Sequence, residues 1–319
     1  MPAEPLSSTL DEHLVDALQT LAGKHPGFRP VHAKGIVCSG TFIATPQARQ
    51  ICRAAHFQGR SVPAVVRFSN ASGDPRSDDR SADLRGMAVK LQLPGGQDTD
   101  IVALSTDRFA ARSPEEFLEF LQVQLPDPAT GHPDKARIGA FLADHPAAQA
   151  FVTRSTTAPP PASYAQETYS ALHAFLFIAE DGIIRFGRYR WEPEAGEIHL
   201  AREDAAKRDP DFLQSELARR LAIGPAFFRL LLQLAAEDDP TDDATAVWPK
   251  DRPVVCLGRL RVEAISPTSP DDERHLLFDP SRVPDGIDLS MDPILLARPH
   301  AYAVDFGRRN TSGAGDAVL

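Results

Sequence analysis

The stretch RGMAVKLQLPGGQDTDIVALS, residues 85–105, carries the clearest fold signal in the sequence. Two apolar-rich runs flank Pro94-Gly95-Gly96, which is the pattern of two strands joined by a tight turn. The run before them, SVPAVVRFSNASGD at residues 61–74, alternates apolar and polar residues and then enters a group of turn residues. The sequence therefore predicts antiparallel strands connected by short turns.

A second block of strands is predicted in the other half of the chain. ALHAFLFIAEDGIIRFGRYRW, residues 171–191, has the form of a hairpin with its turn at Asp181-Gly182. RPVVCLGRLRVEAIS (252–266) is a further strand, whereas PAFFRLLLQLAAED (225–238) fits either a helix or a strand. In the first block, FRPVHAKGIVCSGTF (28–42) is predicted to be a strand with a histidine, His32, near its start.

Helices are predicted around these blocks. Leu10, Leu14, Leu18 and Leu21 form one helical stripe behind serines at positions 7 and 8. In SPEEFLEFLQ (113–122), the serine fits an N-cap, the proline the first helical residue and Glu116 a capping-box partner.

Further along the chain, residues 132–153 and 209–223 are also predicted to be helical, and TRSTTAPPPAS (153–163) is predicted to be an unstructured connection. The final run, SMDPILLARPHAYAVDFGRR (290–309), has a helical period and is expected to be interrupted at Pro299.

The order of these elements indicates the fold class. Strands occur in two blocks separated by helices, with no regular alternation and no glycine-rich phosphate loop, which argues against a doubly wound nucleotide-binding fold. The prediction is an α+β protein: an antiparallel β-barrel with helices packed around it. One domain over residues 1–319 is expected.

The composition is that of a soluble globular protein. The 319 residues are 42% hydrophobic and 24% charged, with a formal net charge of −10. So acidic a chain is unsuited to nucleic acid or anionic membrane surfaces, and no apolar run approaches the roughly 20 residues of a spanning helix. MPAEPLSSTLDEHL at the N-terminus lacks a signal pattern, and the three cysteines form no CxxC pair. A cytoplasmic location with reduced thiols is predicted.

Standard catalytic templates are missing, but one pair of residues suggests chemistry. Arg298 and Tyr302 are four residues apart and would share a helix face, where a guanidinium favours the phenolate form of the phenol. A tyrosinate is a ligand suited to ferric iron. The alternative is a pair of surface neighbours. For His32, a structural histidine, a metal ligand and a catalytic group all remain open.

Five collinear segments resemble the haem catalase superfamily, and specifically its short branch, the catalase-related peroxidases. The resemblance covers roughly 280 residues and implies a barrel of the catalase type. The segments are VHAKG (31–35), VPAVVRFSNASGDPRSDDRSADLRGMAVKL (62–91), DIVALSTDRFAARSPEEFLEF (100–120), ALHAFLFIAEDG with RYRWEPEAG (171–196) and LLFDPSRVPDGIDLSMDPILLARPHAYAVDFGRR (276–309).

This resemblance implies an organisation along the chain. It comprises an N-terminal helical segment (1–25), a first β-block (29–110), helices with a linker (113–160), a second β-block with a helix (164–265) and a proximal haem-ligand segment (275–319).

The resemblance also implies roles for four residues at haem b. Tyr302 would be the axial ligand of the iron, with Arg298 holding it as the phenolate. His32 would be the distal histidine that takes a proton from peroxide and returns it to the departing oxygen. Ser69 would fix the tautomer and orientation of that histidine, although it could instead satisfy a local backbone group.

Further residues are implied at the edge and face of the haem. Arg29, Arg67 and Arg309 would pair with the propionates, since a forked guanidinium suits a carboxylate. Arg308 competes with Arg309 for this role because a shift of one residue exchanges them. The face of the macrocycle would pack against Val31 and Phe117; ordinary core packing is the alternative for Phe117.

One departure from the family indicates the reaction. The distal asparagine of large catalases falls at Leu104 or Ser105, so it is absent. The sequence therefore predicts a haem-dependent peroxidase that uses hydrogen peroxide or an organic peroxide to oxidise small organic donors, with weak or residual catalase activity. A catalase proper, a hydroperoxide lyase or isomerase and a non-catalytic haem-binding protein are the alternatives. A monomer or homodimer is expected, because the wrapping segments of large catalases are missing.

Overall fold

The structure is a computed structural model that describes residues 9–267 and 273–311. Its strands are β1 (Gly35–Ala44), β2 (Val62–Asn70), β3 (Arg85–Gln92), β4 (Asp98–Leu104), β5 (Tyr169–Ser170), β6 (Phe175–Ile178), β7 (Ile184–Pro193), β8 (Ala226–Leu234), β9 (Val254–Ile265) and β10 (Ile287–Leu289). Its α-helices are α1 (Leu10–Ala22), α2 (Pro46–Ile51), α3 (Pro114–Gln122), α4 (Lys135–Asp144), α5 (Pro146–Thr157), α6 (Arg202–Ala205), α7 (Phe212–Ile223) and α8 (Pro293–Thr311).

The sheet closes into an eight-stranded antiparallel barrel. Its strands follow the order β7-β5-β4-β3-β2-β1-β9-β8, and β7 pairs with β8 as well as with β5, which joins the two ends. Strands β6 and β10 extend the sheet from β7. Both predicted strand blocks contribute to this one barrel, and the predicted fold class is confirmed.

Two predicted turns are confirmed by their backbone geometry. Between β3 and β4, the Leu93 N–H donates to the Gln97 carbonyl, and Gly95 and Gly96 have φ of 91° and 81°. These left-handed values are reached at no steric cost only by glycine. Between β6 and β7, the Ala179 N–H donates to the Ile183 carbonyl around the predicted turn.

The apolar residues form two cores. Large aromatic side chains fill the barrel, among them Phe42, Phe68, Trp191 and Phe228, all fully buried. A separate cluster joins α1, α3, α4 and α5 through residues such as Leu14 and Phe120. No helix in the described ranges is long and apolar enough to span a membrane.

The strand predicted over residues 28–42 begins later than expected. β1 starts at Gly35, and residues 28–34 form turns and bends in front of it. The reason is local: His32 has φ of 58°, a left-handed conformation that no strand residue adopts. Residues 28–34 of the predicted strand therefore lie outside it.

The N-termini of α1 and α3 each differ in one respect from the prediction. Thr9 caps α1, because its hydroxyl accepts from the Glu12 N–H while the Glu12 carboxylate accepts from the Thr9 N–H; the serines at 7 and 8 lie outside the described residues. In α3 the Ser113 cap is confirmed, but the Glu116 carboxylate accepts from the Arg112 N–H and not from the cap residue.

Two of the remaining helix predictions need correction, and one open alternative is decided. The helix predicted over 132–153 is two helices divided at His145, and α5 continues to Thr157 into the segment predicted to be unstructured. The ambiguous run at 225–238 forms β8. Helix α8 begins at Pro293 and continues through Pro299, so the expected interruption is wrong. Packing of α8 against α1 and α3 outweighs the proline's local cost.

A buried histidine near the barrel leads to a prediction about acid stability. His56 is 1% exposed between Phe42 and Phe57, and its Nδ1 atom has no hydrogen-bond partner among the described residues. Burial lowers the pKa of His56 to about 3. The unfolded chain therefore binds more protons than the folded chain between pH 3 and 6.5, so stability contributed by this group is lost as the pH falls through that window.

We expect His56→Phe to flatten the acid side of the stability profile. At pH 5 the wild-type protein should lose roughly 2 kcal/mol through this histidine relative to neutral pH, and the variant should not. Urea unfolding of both proteins at pH 5 and pH 7 measures the difference. The exposed His132→Gln is the control and should leave the profile unchanged; equal pH slopes in wild type and His56→Phe would contradict the assignment.

Candidate active site

A cavity of about 490 Å³ lies between the barrel wall and the surrounding helices. Strands β2, β3 and β4 supply one side, and α1, α3, α5 and α8 supply the others. Most of its lining is aliphatic or aromatic, and its polar groups are gathered at a few points. This volume and lining are typical of a site for an organic ligand.

His32 is held at one wall of this cavity. Its Nδ1 atom lies 3.0 Å from the Ser69 hydroxyl, as the sequence predicted for that pair. Gly86 makes the contact possible, because a Cβ there would lie 2.6 Å from the Ser69 Oγ and 2.9 Å from the imidazole. Since Nδ1 is engaged by Ser69, Nε2 is the ring atom left to exchange a proton.

The same surroundings keep the His32 ring neutral. Burial lowers its pKa to about 3, and the positive charges of Arg67, Arg298 and Arg29 act in the same direction. An imidazole with so low a pKa is unprotonated throughout the physiological range and can accept a proton.

The predicted pair on α8 also reaches the cavity. Arg298 donates from Nε to the Tyr302 phenol oxygen over 2.9 Å, and both residues line the cavity wall. Their separation by one helical turn brings the two side chains together on one face of α8. The surface-neighbour alternative is therefore wrong.

A histidine that the sequence reasoning missed stands behind this pair. His173, in the connection between β5 and β6, lies with its Nε2 2.8 Å from Arg298 Nη1 and its Nδ1 2.7 Å from an Asp292 carboxylate oxygen. A guanidinium only donates, so Nε2 accepts and the ring proton sits on Nδ1 facing Asp292. Burial lowers the pKa of His173, which agrees with a neutral ring.

Asp292 joins this chain of contacts to the helix itself. Its carboxylate accepts from the backbone N–H groups of Ile294 and Leu295 at the start of α8, as a helix cap does. The signal in the sequence was the run MDPILL, an aspartate followed by a proline at the first helical position. Nothing local marked His173, because its partners lie more than a hundred residues away.

Three arginines gather at one edge of the cavity. Arg29, Arg67 and Arg309 all line it, and the pKa of Arg29 is lowered well below its usual value by burial and by the other two charges. Within the chain, Arg67 pairs with the Glu273 carboxylate, and Arg29 donates to the carbonyls of Glu273 and Leu276. Such a cluster favours an anionic group on a ligand.

Arg309 and Arg308 point in different directions. Arg309 is 3% exposed and faces the cavity, and within the described ranges its Nε and Nη1 atoms have no hydrogen-bond partner. Arg308 instead forms an ion pair with Asp16 of α1 at the surface. Two buried guanidinium N–H donors of Arg309 are thus available to a ligand carboxylate.

The remaining predicted residues also lie at the cavity. Val31 and Phe117 are both part of its lining, and the Phe117 ring lies 4.9 Å from the Phe109 ring. Of the two positions proposed for the missing asparagine, Leu104 lines the cavity. The Ser105 hydroxyl instead accepts from the Arg85 N–H, so Leu104 is the better placed of the two positions to act in the cavity.

The residues present fit a haem. An apolar cavity suits a flat macrocycle, the clustered arginines with the unpaired donors of Arg309 suit its carboxylates, and the Tyr302 phenol beside Arg298 suits its iron. His32 belongs to the same cavity, as a distal acid–base group must.

Comparison with known proteins identifies the family. The family model described as Catalase matches residues 6–312. A catalase-related peroxidase from Mycolicibacterium paratuberculosis is 39% identical over 298 residues, covering 92% of each chain. Another from Synechococcus elongatus is 33% identical over 298 residues, covering 93% of this chain and 88% of the other.

A solved structure gives the same result for the fold. Catalase A from Saccharomyces cerevisiae superposes with a TM-score of 0.79 at 25% identity, covering 97% of this chain and 66% of that one. Catalases and catalase-related peroxidases are haem proteins. The match over nearly the whole chain, with the geometry above, shows that this protein belongs to the catalase family.

Proposed function

We propose that this protein is a haem-dependent peroxidase that uses hydrogen peroxide or an organic peroxide to oxidise small organic donors, with weak or residual catalase activity. Its family and relatives support an oxidoreductase that acts on peroxide. We propose haem b as the cofactor, with Tyr302 as its iron ligand. The single observation that carries the proposal is one buried cavity that joins the His32–Ser69 pair, the Arg298–Tyr302 pair and the arginine edge.

The cofactor would be held by residues with complementary chemistry. Arg29, Arg67 and Arg309 would bind the propionates, and Val31 and Phe117 would pack against the macrocycle. When bound, the haem supplies an iron that peroxide oxidises and an organic donor reduces. The Arg298 hydrogen bond to the Tyr302 oxygen favours the phenolate that would ligate this iron.

His32 would carry the proton during the peroxide reaction. Its neutral ring accepts a proton at Nε2 from the incoming peroxide and returns it to the oxygen that departs. The Ser69 hydroxyl at Nδ1 holds the ring in one orientation, so the accepting nitrogen keeps its direction. Desolvation in the cavity keeps the base in its active, unprotonated form.

Leu104 argues for a peroxidase over an efficient catalase. An aliphatic side chain cannot donate or accept a hydrogen bond, so it cannot orient a second molecule of hydrogen peroxide as a distal asparagine does. Reduction by an organic donor should then outcompete reduction by peroxide.

We also propose where the enzyme acts and in what form. A cytoplasmic protein that acts as a monomer or homodimer, without nucleic-acid or membrane partners, is part of the proposal. The acidic net charge supports the absence of nucleic-acid and anionic-membrane partners, and the three free cysteines, two of them buried, support a cytoplasmic location.

The first test is the spectrum and the balance of two activities. Purified protein loaded with hemin should show a Soret band, oxidise a phenolic dye with peroxide and evolve little oxygen. Tyr302→Phe should lose the haem or shift the band strongly. Vigorous oxygen evolution with little dye oxidation would indicate a catalase proper, and a Soret band without any reaction would indicate a non-catalytic haem protein.

His32→Gln tests the proton-transfer role separately from haem binding. The glutamine should leave haem binding intact and lower the rate with peroxide by about 10²- to 10⁴-fold, because the acid–base group is lost. In the wild-type protein the rate should not fall as the pH drops through about 6.5, the usual pKa of histidine, because the active ring stays neutral. Stopped-flow absorbance measures both; a histidine-like transition near that pH would contradict the geometry.

Leu104→Asn tests the basis of the reaction preference. An amide at this cavity position can orient hydrogen peroxide, so the ratio of oxygen evolution to dye oxidation should rise several-fold. Oxygen-electrode and dye assays on the same preparation give the ratio, with isosteric Leu104→Met as the matched control. An unchanged ratio in Leu104→Asn would show that this position does not set the preference.

A further inference from the structure

The left-handed backbone at His32 needs support from outside its own segment. A non-glycine residue at φ of 58° is strained, and such strain persists only where neighbouring groups over-determine the conformation. Two backbone bonds provide part of this support: the His32 N–H donates to the Ala71 carbonyl, and the Ala33 N–H donates to the Ser72 carbonyl. Both fix N–H groups and leave the His32 carbonyl to another partner.

That partner is Arg67. Its Nη2 donates to the His32 carbonyl over 2.8 Å and to the Ala33 carbonyl over 3.5 Å. Gly35 provides the space for this guanidinium, because a Cβ there would lie 2.4 Å from Nη2. Arg67 is 4% exposed, so these bonds are made away from water.

The other edge of the same guanidinium is fixed by a carboxylate. Glu273 accepts from Arg67 Nε, and the backbone of its segment is in turn held by Arg29, which donates to the carbonyls of Glu273 and Leu276. The Glu273 side chain is 18% exposed, so this is a largely buried, charge-assisted contact.

We propose that Arg67 is a positioning residue for His32 and that Glu273 fixes Arg67 in this role. One guanidinium spans the carboxylate on one side and the carbonyl of the strained histidine on the other. This contribution is additional to the binding of a haem carboxylate, and it rests on the proposed role of His32 in the peroxide reaction. Lysine would keep the positive charge but, as a point donor, cannot bridge the two groups as the planar fork does.

Two variants separate positioning from simple charge. Arg67→Lys and Glu273→Gln should both retain hemin, measured by Soret titration. The second-order rate with peroxide and the association rate of cyanide with the ferric protein should both fall by about 10- to 100-fold, because a small displacement of a distal group costs rates of that order. If Arg67→Lys does not fold, Glu273→Gln still tests the proposal.

Double variants give the decisive readout. Arg67→Lys/Glu273→Gln should fall no further than Arg67→Lys alone, since the two residues act as one unit. In a His32→Gln background, Arg67→Lys should have almost no effect on the peroxide rate. Arg53→Lys, which alters an exposed pair with Asp285, is the matched control and should leave the rates unchanged.

The outcomes against the proposal are distinct. If Arg67→Lys binds hemin more weakly but reacts with peroxide and cyanide at normal rates, Arg67 only binds a haem carboxylate and does not position His32. An equal loss of rate in the presence and absence of His32 would overturn it as well. Failure of the proposed function itself has a different signature: His32→Gln alone would leave the peroxide rate at the wild-type level.

Discussion

Pairing of β7 with both β5 and β8 is the constraint on which the rest of the structure depends. It closes the barrel, and the short connection after β5 is thereby fixed beside the start of α8. His173 in that connection meets Asp292, which caps α8, and Arg298 one turn further along. The backbone hydrogen bonds that close the barrel thus determine, through His173 and Arg298, the position of the Tyr302 phenol on α8.

The electrostatics of the cavity follow from the burial that this closure creates. Positive groups outnumber their carboxylate partners at the arginine edge, and their burial weakens screening of these charges by bulk water. Their field and the desolvation together keep His32 neutral, which is the form a base requires. Behind Arg298, the neutral His173 carries its proton toward Asp292 and accepts from Arg298 Nη1, while Arg298 Nε donates to Tyr302. Burial therefore keeps both histidine rings neutral, although no single residue in the sequence predicts that burial.

The prediction from sequence was most accurate where the signal was local. The turns at residues 94–96 and 181–182, the Ser113 cap and the separation of Arg298 from Tyr302 were all read directly from neighbouring residues. It was wrong where distant contacts override local preference. Pro299 lies within a continuous helix, and His32 leaves the strand conformation because contacts from other segments hold it. The run at 225–238, which by sequence fits either a helix or a strand, contains β8 because β7 and β9 pair with it on both sides.

By itself, the sequence determined the class of fold, the family resemblance and the identity of the chemical groups, because apolar periodicity, turn residues and motif spacing are properties of neighbouring positions. Only the tertiary structure decided which groups meet. It brought His173 to Arg298, turned Arg309 and not Arg308 into the cavity, exposed Leu104 there in preference to Ser105, and joined Arg67 to the carbonyl of His32. Each of these contacts depends on closure of the barrel or on the packing of a helix against it. The spacing of residues along the chain predicts neither of these.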